Sequence, residues 1–255
     1  MVTSDWLVAQ AKPLNVGHRG AMASAPQNTL AAFRKAVEFG ADGVELDVHL
    51  SKDGAVVVIH DFYVDRTTDG TGRVAQKTLA ELKALDAGVK FAPEFAGERI
   101  PTLSQVFDVL QGKLLVNVEL KAPDRSRDAS LVAPVLKVVR EHGMDQRVLF
   151  SSFNPYVLRA MKGLAPDIPI GLLYAPDSPI YARHAWLDPF EPHEARNPHF
   201  SMLTGPIIGW YHSRGLHVNT WMVNEPDEMR RLFEAGVDGI ITNKPDVLKS
   251  VMNKT

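Results

Sequence analysis

The sequence contains no cysteine, which excludes disulfide bonds, thiolate nucleophiles and zinc sites built on cysteine. It also lacks any apolar stretch close to the ~20 residues that a membrane-spanning helix requires. Residues 1–12 show no basic segment followed by an apolar one, so no signal peptide is predicted. Together these absences favour a soluble cytoplasmic protein with no stable membrane insertion.

An excess of basic residues is missing as well. The formal net charge is −2, whereas nucleic-acid-binding domains are usually basic, so nucleic acid is not a predicted partner. The field of the whole protein is therefore weak, and an anionic substrate would have to be held by local cations or by a metal ion. No coiled-coil repeat or dominant apolar patch can be recognised, which leaves the oligomeric state open.

Short β-branched runs alternate with longer helical segments, a pattern typical of βα units and a parallel sheet. Seven runs between residues 14 and 242 are predicted strands, and a weak eighth lies near residues 186–190. We therefore predict an α/β fold, a (β/α)₈ TIM barrel, with residues 1–255 forming one catalytic domain. An open doubly wound sheet is the alternative, but no G-x-G-x-x-G follows the first strand.

The segment after the second strand is too short for a parallel crossover, and Asp53-Gly54 is a strong hairpin turn signal. A two-residue turn would set His60 opposite Asp47, and a four-residue loop would set it opposite Glu45. Because strand neighbours alternate sides, both registers put His60 on the face of these two acids. A three-residue loop would send it to the other face.

Residues 62–99 then break the barrel pattern, apart from a short predicted helix near residues 78–85. They are predicted to form an insertion after the second strand. In such barrels, substrate-binding insertions usually lie at the carboxyl ends of the strands.

Ionisable and aromatic side chains recur where the predicted strands end, which is the face where barrels carry their active sites. They are His18, Arg19, Glu45, Asp47, His60, Glu119, Lys121 and Trp221. Polar groups within apolar runs cost several kcal/mol unless they are paired or bind a metal. The convergence of these groups on one mouth therefore predicts a shared partner, and a divalent cation is the simplest one.

The residue types indicate which chemistry such a site would perform. Carboxylates without cysteine suit a hard ion, Mg²⁺, Ca²⁺ or Mn²⁺, better than zinc. Arg19 and Lys121 could bind a phosphate group. His18 and His60 titrate near neutrality, so one could accept a proton from the attacking oxygen while the other protonates the leaving alcohol.

These residues stand in motifs that resemble the glycerophosphodiester phosphodiesterase family along nearly the whole chain. The matching motifs are His18-Arg19-Gly20, Pro26-Gln27-Asn28-Thr29, the block 40–61 that ends in His60-Asp61, Val118-Glu119-Leu120-Lys121, Ser151-Ser152-Phe153, Trp221-Met222-Val223-Asn224 and the block 236–246. The resemblance implies a TIM barrel with a small insertion and hydrolysis of glycerophosphodiesters to sn-glycerol 3-phosphate and an alcohol such as choline or ethanolamine.

The resemblance also implies a role for each site residue. His18 and His60 would be the acid–base pair, and Glu45, Asp47 and Glu119 would bind one divalent cation. Arg19 and Lys121 would contact phosphate, and Trp221 would pack against the glycerol. The sequence departs from the family where Gln27 replaces a usual glutamate and Asn243 replaces a usual aspartate.

Three questions stay open at this stage. The nucleophile could be a water molecule or the glycerol 2-hydroxyl, which would give a cyclic phosphate. A lipid phosphodiesterase of the lysophospholipase D or sphingomyelinase D type would share the barrel, but residues 62–99 offer only scattered apolar side chains for membrane docking. A non-catalytic phosphate or lipid sensor is the third reading, although no histidine or acid of the motifs is lost.

Overall fold

The computed structural model describes residues 4–8, 12–123, 127–183 and 193–254, in which eight parallel strands close into a barrel. The strands in chain order are β1 (Leu14–His18), β2 (Gly43–Leu50), β3 (Val56–Val58), β4 (Leu115–Leu120), β5 (Val148–Ser152), β6 (Ile170–Tyr174), β7 (Ala195–Pro198), β8 (His217–Thr220) and β9 (Gly239–Thr242). All except β3 form the ring, which runs β1-β2-β4-β5-β6-β7-β8-β9 and closes between β9 and β1. The predicted TIM barrel is thus confirmed.

Helices follow the strands and cover the barrel. They are α1 (Leu30–Glu38), α2 (Leu79–Ala84), α3 (Leu103–Leu110), α4 (Val132–Glu141), α5 (Pro155–Leu164), α6 (Ile180–Arg183), α7 (Gly205–His212), α8 (Pro226–Ala235) and α9 (Pro245–Met252). Their starts follow local rules. Thr102 caps α3 through a capping box with Gln105, and proline occupies the first turn of α5, α8 and α9.

The alternation along β2 explains how the barrel separates its core from its site. Val44, Leu46 and Val48 join the hydrophobic core between the strands and the helices. Burial of each such side chain contributes roughly 1.5–3 kcal/mol. Because neighbouring side chains point to opposite sides of a strand, Glu45 and Asp47 face the barrel interior.

The hairpin after β2 forms as predicted, but its register differs from both favoured ones. Val48 pairs with Val58 and Leu50 with Val56, which leaves a three-residue loop beyond the hydrogen bond from the Ser51 N–H to the Ala55 carbonyl. The expectation that a two- or four-residue loop would orient His60 was therefore wrong.

His60 nevertheless reaches the barrel mouth, because β3 ends at Val58. The Ile59 N–H still bonds to the Asp47 carbonyl, but His60 lies in a bend beyond that bond, where strand alternation no longer applies.

One barrel strand was not predicted from the sequence. The weak strand near residues 186–190 lies outside the described residues, and the structure places β7 at Ala195–Pro198. Its sequence, Ala-Arg-Asn-Pro, has no β-branched residue, so the usual strand signal is absent.

The segment between β3 and α3 forms the predicted insertion after the second barrel strand. It contains α2 and two short 3₁₀ helices, Val74–Gln76 and Pro93–Phe95. A small apolar cluster that includes Ile59, Val64 and Leu82 holds it against the hairpin. No helix in the described ranges is long and apolar enough to cross a membrane.

Candidate active site

A cavity of about 150 Å³ opens at the carboxyl ends of the barrel strands. Its lining includes six of the eight residues singled out in the sequence: His18, Arg19, Glu45, His60, Glu119 and Trp221. The other two touch the same group, since Asp47 pairs with Arg19 and Lys121 pairs with Glu119. The barrel therefore brings all eight side chains together.

The turn after β1 places the first of these groups. Gly20 has a φ of +84°, and a Cβ there would come within 2.6 Å of the Ala32 backbone, so only glycine fits without displacing α1. Arg19 itself has a φ of +50°, a conformation that non-glycine residues rarely adopt outside special sites. In this turn the Arg19 N–H donates to Glu45 Oε2 at 3.1 Å.

Three carboxylates form the floor of the site. Glu45, Asp47 and Glu119 each offer an oxygen, and these three oxygens lie within 4.8 Å of one another. Lys121 Nζ lies 2.7 Å from Glu119 Oε1 and 3.4 Å from Asp47 Oδ1, and Arg19 Nε lies 3.3 Å from Asp47 Oδ2. Asp47 is fully buried, and its Oδ1 has no hydrogen-bond partner in the described part of the chain.

The three acids differ in their pKa because they differ in their neighbours. Burial and the charge of Asp47 raise the pKa of Glu45 well above its ordinary value, and burial raises that of Glu119 to about 7. Burial also opposes ionisation of Asp47, but the charges of Lys121 and Arg19 outweigh it and hold the Asp47 pKa below its usual range.

Three close buried carboxylates with an unbonded oxygen fit a hard divalent cation, which prefers oxygen ligands. Mg²⁺, Ca²⁺ and Mn²⁺ all accept such donors.

His18 lies beside this floor and is almost fully enclosed. Its Nδ1 is 2.7 Å from Asn243 Oδ1, and its Nε2 is 3.8 Å from Glu45 Oε2. Burial, aided by the charge of Arg19, lowers the pKa of His18 to about 3. The imidazole is therefore neutral at pH 7. If the amide oxygen accepts the proton of Nδ1, Nε2 is left as an acceptor facing the cavity.

His60 approaches from the hairpin and has a different partner. Its Nδ1 is 2.6 Å from Asp61 Oδ1, and the Asp61 carboxylate also accepts two hydrogen bonds from Arg66. The backbone carbonyl of His60 faces His49 Nε2 at 3.1 Å, which fastens the bend to β2. Burial, aided by the charges of Lys121 and Arg19, lowers the pKa of His60, and Asp47 and Asp61 offset only part of this shift.

Both departures from the family motifs lie in direct contact with site residues. Gln27 accepts a hydrogen bond from Arg19 Nη1 through Oε1, and Asn243 contacts His18 Nδ1. Each position thus still holds its partner through a neutral oxygen rather than a charged one.

Trp221 closes the far side of the cavity. Its indole N–H donates to the Asn197 carbonyl at 2.7 Å, and its ring meets the edge of Phe153 at a centroid distance of 5.5 Å. Phe153 stands in one of the matching motifs but was given no role in the site from the sequence, although it directly follows β5 at the barrel mouth.

Two polar lining residues were also given no role from the sequence, although Ser151 stands in one of the matching motifs. Asn117 and Ser151 line the cavity, and each has a buried side-chain oxygen without a partner among the described residues. Asn117 precedes Glu119 by two residues on β4, so the strand period could have indicated it.

Comparison with known proteins agrees with this geometry. The family model described as "Glycerophosphoryl diester phosphodiesterase family" matches residues 18–247. A glycerophosphodiester phosphodiesterase of Caldanaerobacter subterraneus subsp. tengcongensis is 43% identical over 244 residues, which cover 95% of this chain and 99% of the relative. One from Bacillus subtilis is 31% identical over 96% of this chain and 88% of its own length.

Solved structures are similar over nearly the whole chain. A phosphodiesterase of Oleispira antarctica, solved in complex with the product sn-glycerol-3-phosphate, superposes with a TM-score of 0.87 at 32% identity, covering 95% of this chain and 97% of that one. A glycerophosphoryl diester phosphodiesterase fold from Silicibacter pomeroyi gives a TM-score of 0.87 at 28% identity, covering 98% and 96%. The chain therefore belongs to the glycerophosphoryl diester phosphodiesterase family and is an enzyme with glycerophosphodiester phosphodiesterase activity.

Proposed function

We propose that this enzyme hydrolyses glycerophosphodiesters to sn-glycerol 3-phosphate and an alcohol through an acid–base pair, His18 and His60, with one divalent cation. The observation that carries the proposal is the convergence of three carboxylate oxygens within 4.8 Å, beside His18 and two cations, in a cavity that His60 also lines. The product complex of the Oleispira antarctica relative supports the same choice of substrate class.

Glu45, Asp47 and Glu119 would hold the cation. When bound, such an ion neutralises phosphate charge and stabilises the charge that develops in the transition state. The raised pKa values of Glu45 and Glu119 support this role, because a carboxylate cluster that repels its own charge gains most when a cation replaces its protons.

Arg19 and Lys121 would orient the phosphate. Both are already fixed by Asp47, which pairs with Arg19 Nε and Lys121 Nζ. A planar guanidinium can bind two phosphate oxygens, and Arg19 keeps its Nη1 directed by Gln27. Pre-positioned cations lower the barrier because they need no reorganisation as charge develops.

The surroundings of the two histidines suit opposite proton roles. His18 is neutral, with Nε2 free to accept a proton from the attacking oxygen. His60 has a carboxylate on Nδ1, which opposes the lowering of its pKa by burial and would stabilise the imidazolium that protonates the leaving alcohol. The attacking oxygen is either water or the glycerol 2-hydroxyl. Turnover in oxygen-18-labelled water, with a search for a cyclic phosphate, separates these two routes.

Trp221 and Phe153 would hold the glycerol. Their edge-to-face pair presents apolar surface on the side of the cavity away from His60, where a carbon chain can pack while the hydroxyls meet Asn117 and Ser151.

The test is release of glycerol 3-phosphate from glycerophosphocholine, measured after EDTA treatment and after Mg²⁺, Ca²⁺ or Mn²⁺ is added back. The proposal expects metal-restored release that is lost in His18→Ala and His60→Ala but kept in His142→Ala, a histidine on the outer helices. Metal-independent release, or full activity in either site variant, would reject it. Turnover of lysophosphatidylcholine alone would favour a lipid phosphodiesterase instead.

A further inference from the structure

A second cavity, of about 100 Å³, lies between the loop after β1 and the insertion. Its walls include Gln27, Arg66, Lys90 and Phe91. Two of these side chains are cations, and none of the described residues that line the cavity is acidic.

Two side-chain contacts join the second cavity to the catalytic one. Arg19, which lines the catalytic cavity, donates to Gln27 in the second. His60, on the same side, contacts Asp61, and Asp61 accepts from Arg66 in the second cavity. The second cavity is therefore adjacent to the catalytic cavity on the His60 side.

The position of the second cavity relative to the aromatic pair suggests which part of a substrate reaches it. Trp221 and Phe153 follow β8 and β5, which flank the β6–β7 side of the ring, whereas Gln27 and His60 follow β1 and the β2–β3 hairpin on the opposite side. A diester with its glycerol against Trp221 would direct its other alcohol toward His60 and the second cavity. This step rests on the proposed function.

The charges of the second cavity are incompletely neutralised. Arg66 shares its charge with Asp61, but Lys90 Nζ donates to the backbone carbonyl of Asp65 and pairs with no carboxylate in the described ranges. The Asp65 carboxylate accepts a hydrogen bond from the Gly72 N–H through Oδ2 and forms no ion pair with Lys90. A cationic end of the alcohol would meet repulsion here, whereas an anionic end would be attracted.

We propose that this cavity binds an anionic group, a carboxylate or a phosphate, at the far end of the leaving alcohol, and that Lys90 determines this preference. The enzyme then favours glycerophosphodiesters whose alcohol carries its own negative charge over those with a purely cationic alcohol.

Two pairs of substrates isolate the effect. Glycerophosphoserine and glycerophosphoethanolamine differ only by a carboxylate, and glycerophosphoinositol and its 4-phosphate differ only by a phosphate. The kcat/KM ratio within each pair is measured for the wild type, Lys90→Gln and Lys90→Arg. Lys113→Gln is the matched control, because Lys113 is an exposed lysine just before β4, at the opposite end of the barrel.

Lys90→Gln should lower the ratio of kcat/KM with the added anionic group to kcat/KM without it by about three- to tenfold in at least one pair, the size expected for one partly exposed charge contact. Lys90→Arg and Lys113→Gln should leave the ratio within about twofold of the wild type. The ratio of the wild type should also fall as salt is raised, since exposed charges are screened. The pair that responds identifies the carboxylate or the phosphate as the anion.

An equal loss on both members of each pair, or unchanged ratios in Lys90→Gln, would overturn the assignment while leaving the proposed function intact. If the wild type turned over no glycerophosphodiester, the proposed function would fail and this inference with it.

Discussion

Replacing Glu119 by glutamine should stabilise the metal-free protein at alkaline pH, although it removes the charge that pairs with Lys121. Burial raises the pKa of Glu119 to about 7, above the 4.5 of an unperturbed glutamate. Between these values the unfolded chain loses its proton while the folded protein keeps it, so rising pH favours unfolding. Above about pH 7 the Glu119 carboxylate is ionised in the folded protein as well, and the loss of unfolding free energy caused by its burial reaches its full size.

The size of this change in unfolding free energy follows from the difference between the pKa of Glu119 in the folded protein and that in the unfolded chain. At about 1.4 kcal/mol for each pKa unit, the interval from 4.5 to about 7 corresponds to about 3 kcal/mol of unfolding free energy. Glutamine resembles the protonated acid, so Glu119→Gln should match the wild type near pH 4.5 and exceed its stability by up to ~3 kcal/mol at pH 8. This destabilisation decreases as the pH falls through the pKa of Glu119 in the folded protein, and it is absent below the pKa of Glu119 in the unfolded chain.

The assay is urea unfolding in EDTA, followed by tryptophan fluorescence, across this pH range. Glu141→Gln, an exposed carboxylate on α4, is the control and should show no such trend. Adding a divalent cation should reverse the order, because binding to the native state stabilises only a protein that keeps the site. A variant less stable than the wild type at pH 8 in EDTA, or a difference that does not vary with pH, would refute the reasoning.

Three further predictions concern activity. His60→Ala should lower kcat/KM by roughly 10²–10⁴-fold with little change in thermal stability, and a loss below about tenfold would argue against its acid–base role. Asn243→Asp should raise the pKa of His18, because it places a carboxylate at Nδ1, and this should move the acidic limb of the pH–rate profile to higher pH. If the limb does not move, ionisation of His18 does not produce it. Trp221→Ala should raise KM for small glycerophosphodiesters at least as strongly as it lowers kcat, whereas an unchanged KM would remove the indole from the glycerol subsite.

The barrel could be predicted because short stretches of the sequence specify most of its strands and helices. β-branched runs such as β9 and capped helices such as α3 each satisfy a rule that operates over a few residues. β7 escaped prediction because its four residues are held by the ring of neighbouring strands rather than by their own propensity.

The proximity of the eight candidate residues could be predicted because polar groups at strand ends must converge in a closed barrel. The orientation of His60 could not be predicted from the sequence. It depends on a loop of three residues and on the early end of β3, and tertiary contacts determine both. The second cavity could not be predicted from the sequence either, because Gln27 and Lys90 are far apart in sequence and come together only when the insertion folds over the loop after β1.

The most direct test of the account is a crystal structure with Mn²⁺ and sn-glycerol 3-phosphate, in which anomalous scattering locates the metal. The account predicts one ion among Glu45, Asp47 and Glu119, with the phosphate between His18 and His60 and the glycerol against Trp221. An ion bound elsewhere, or a phosphate that contacts neither histidine, would contradict it.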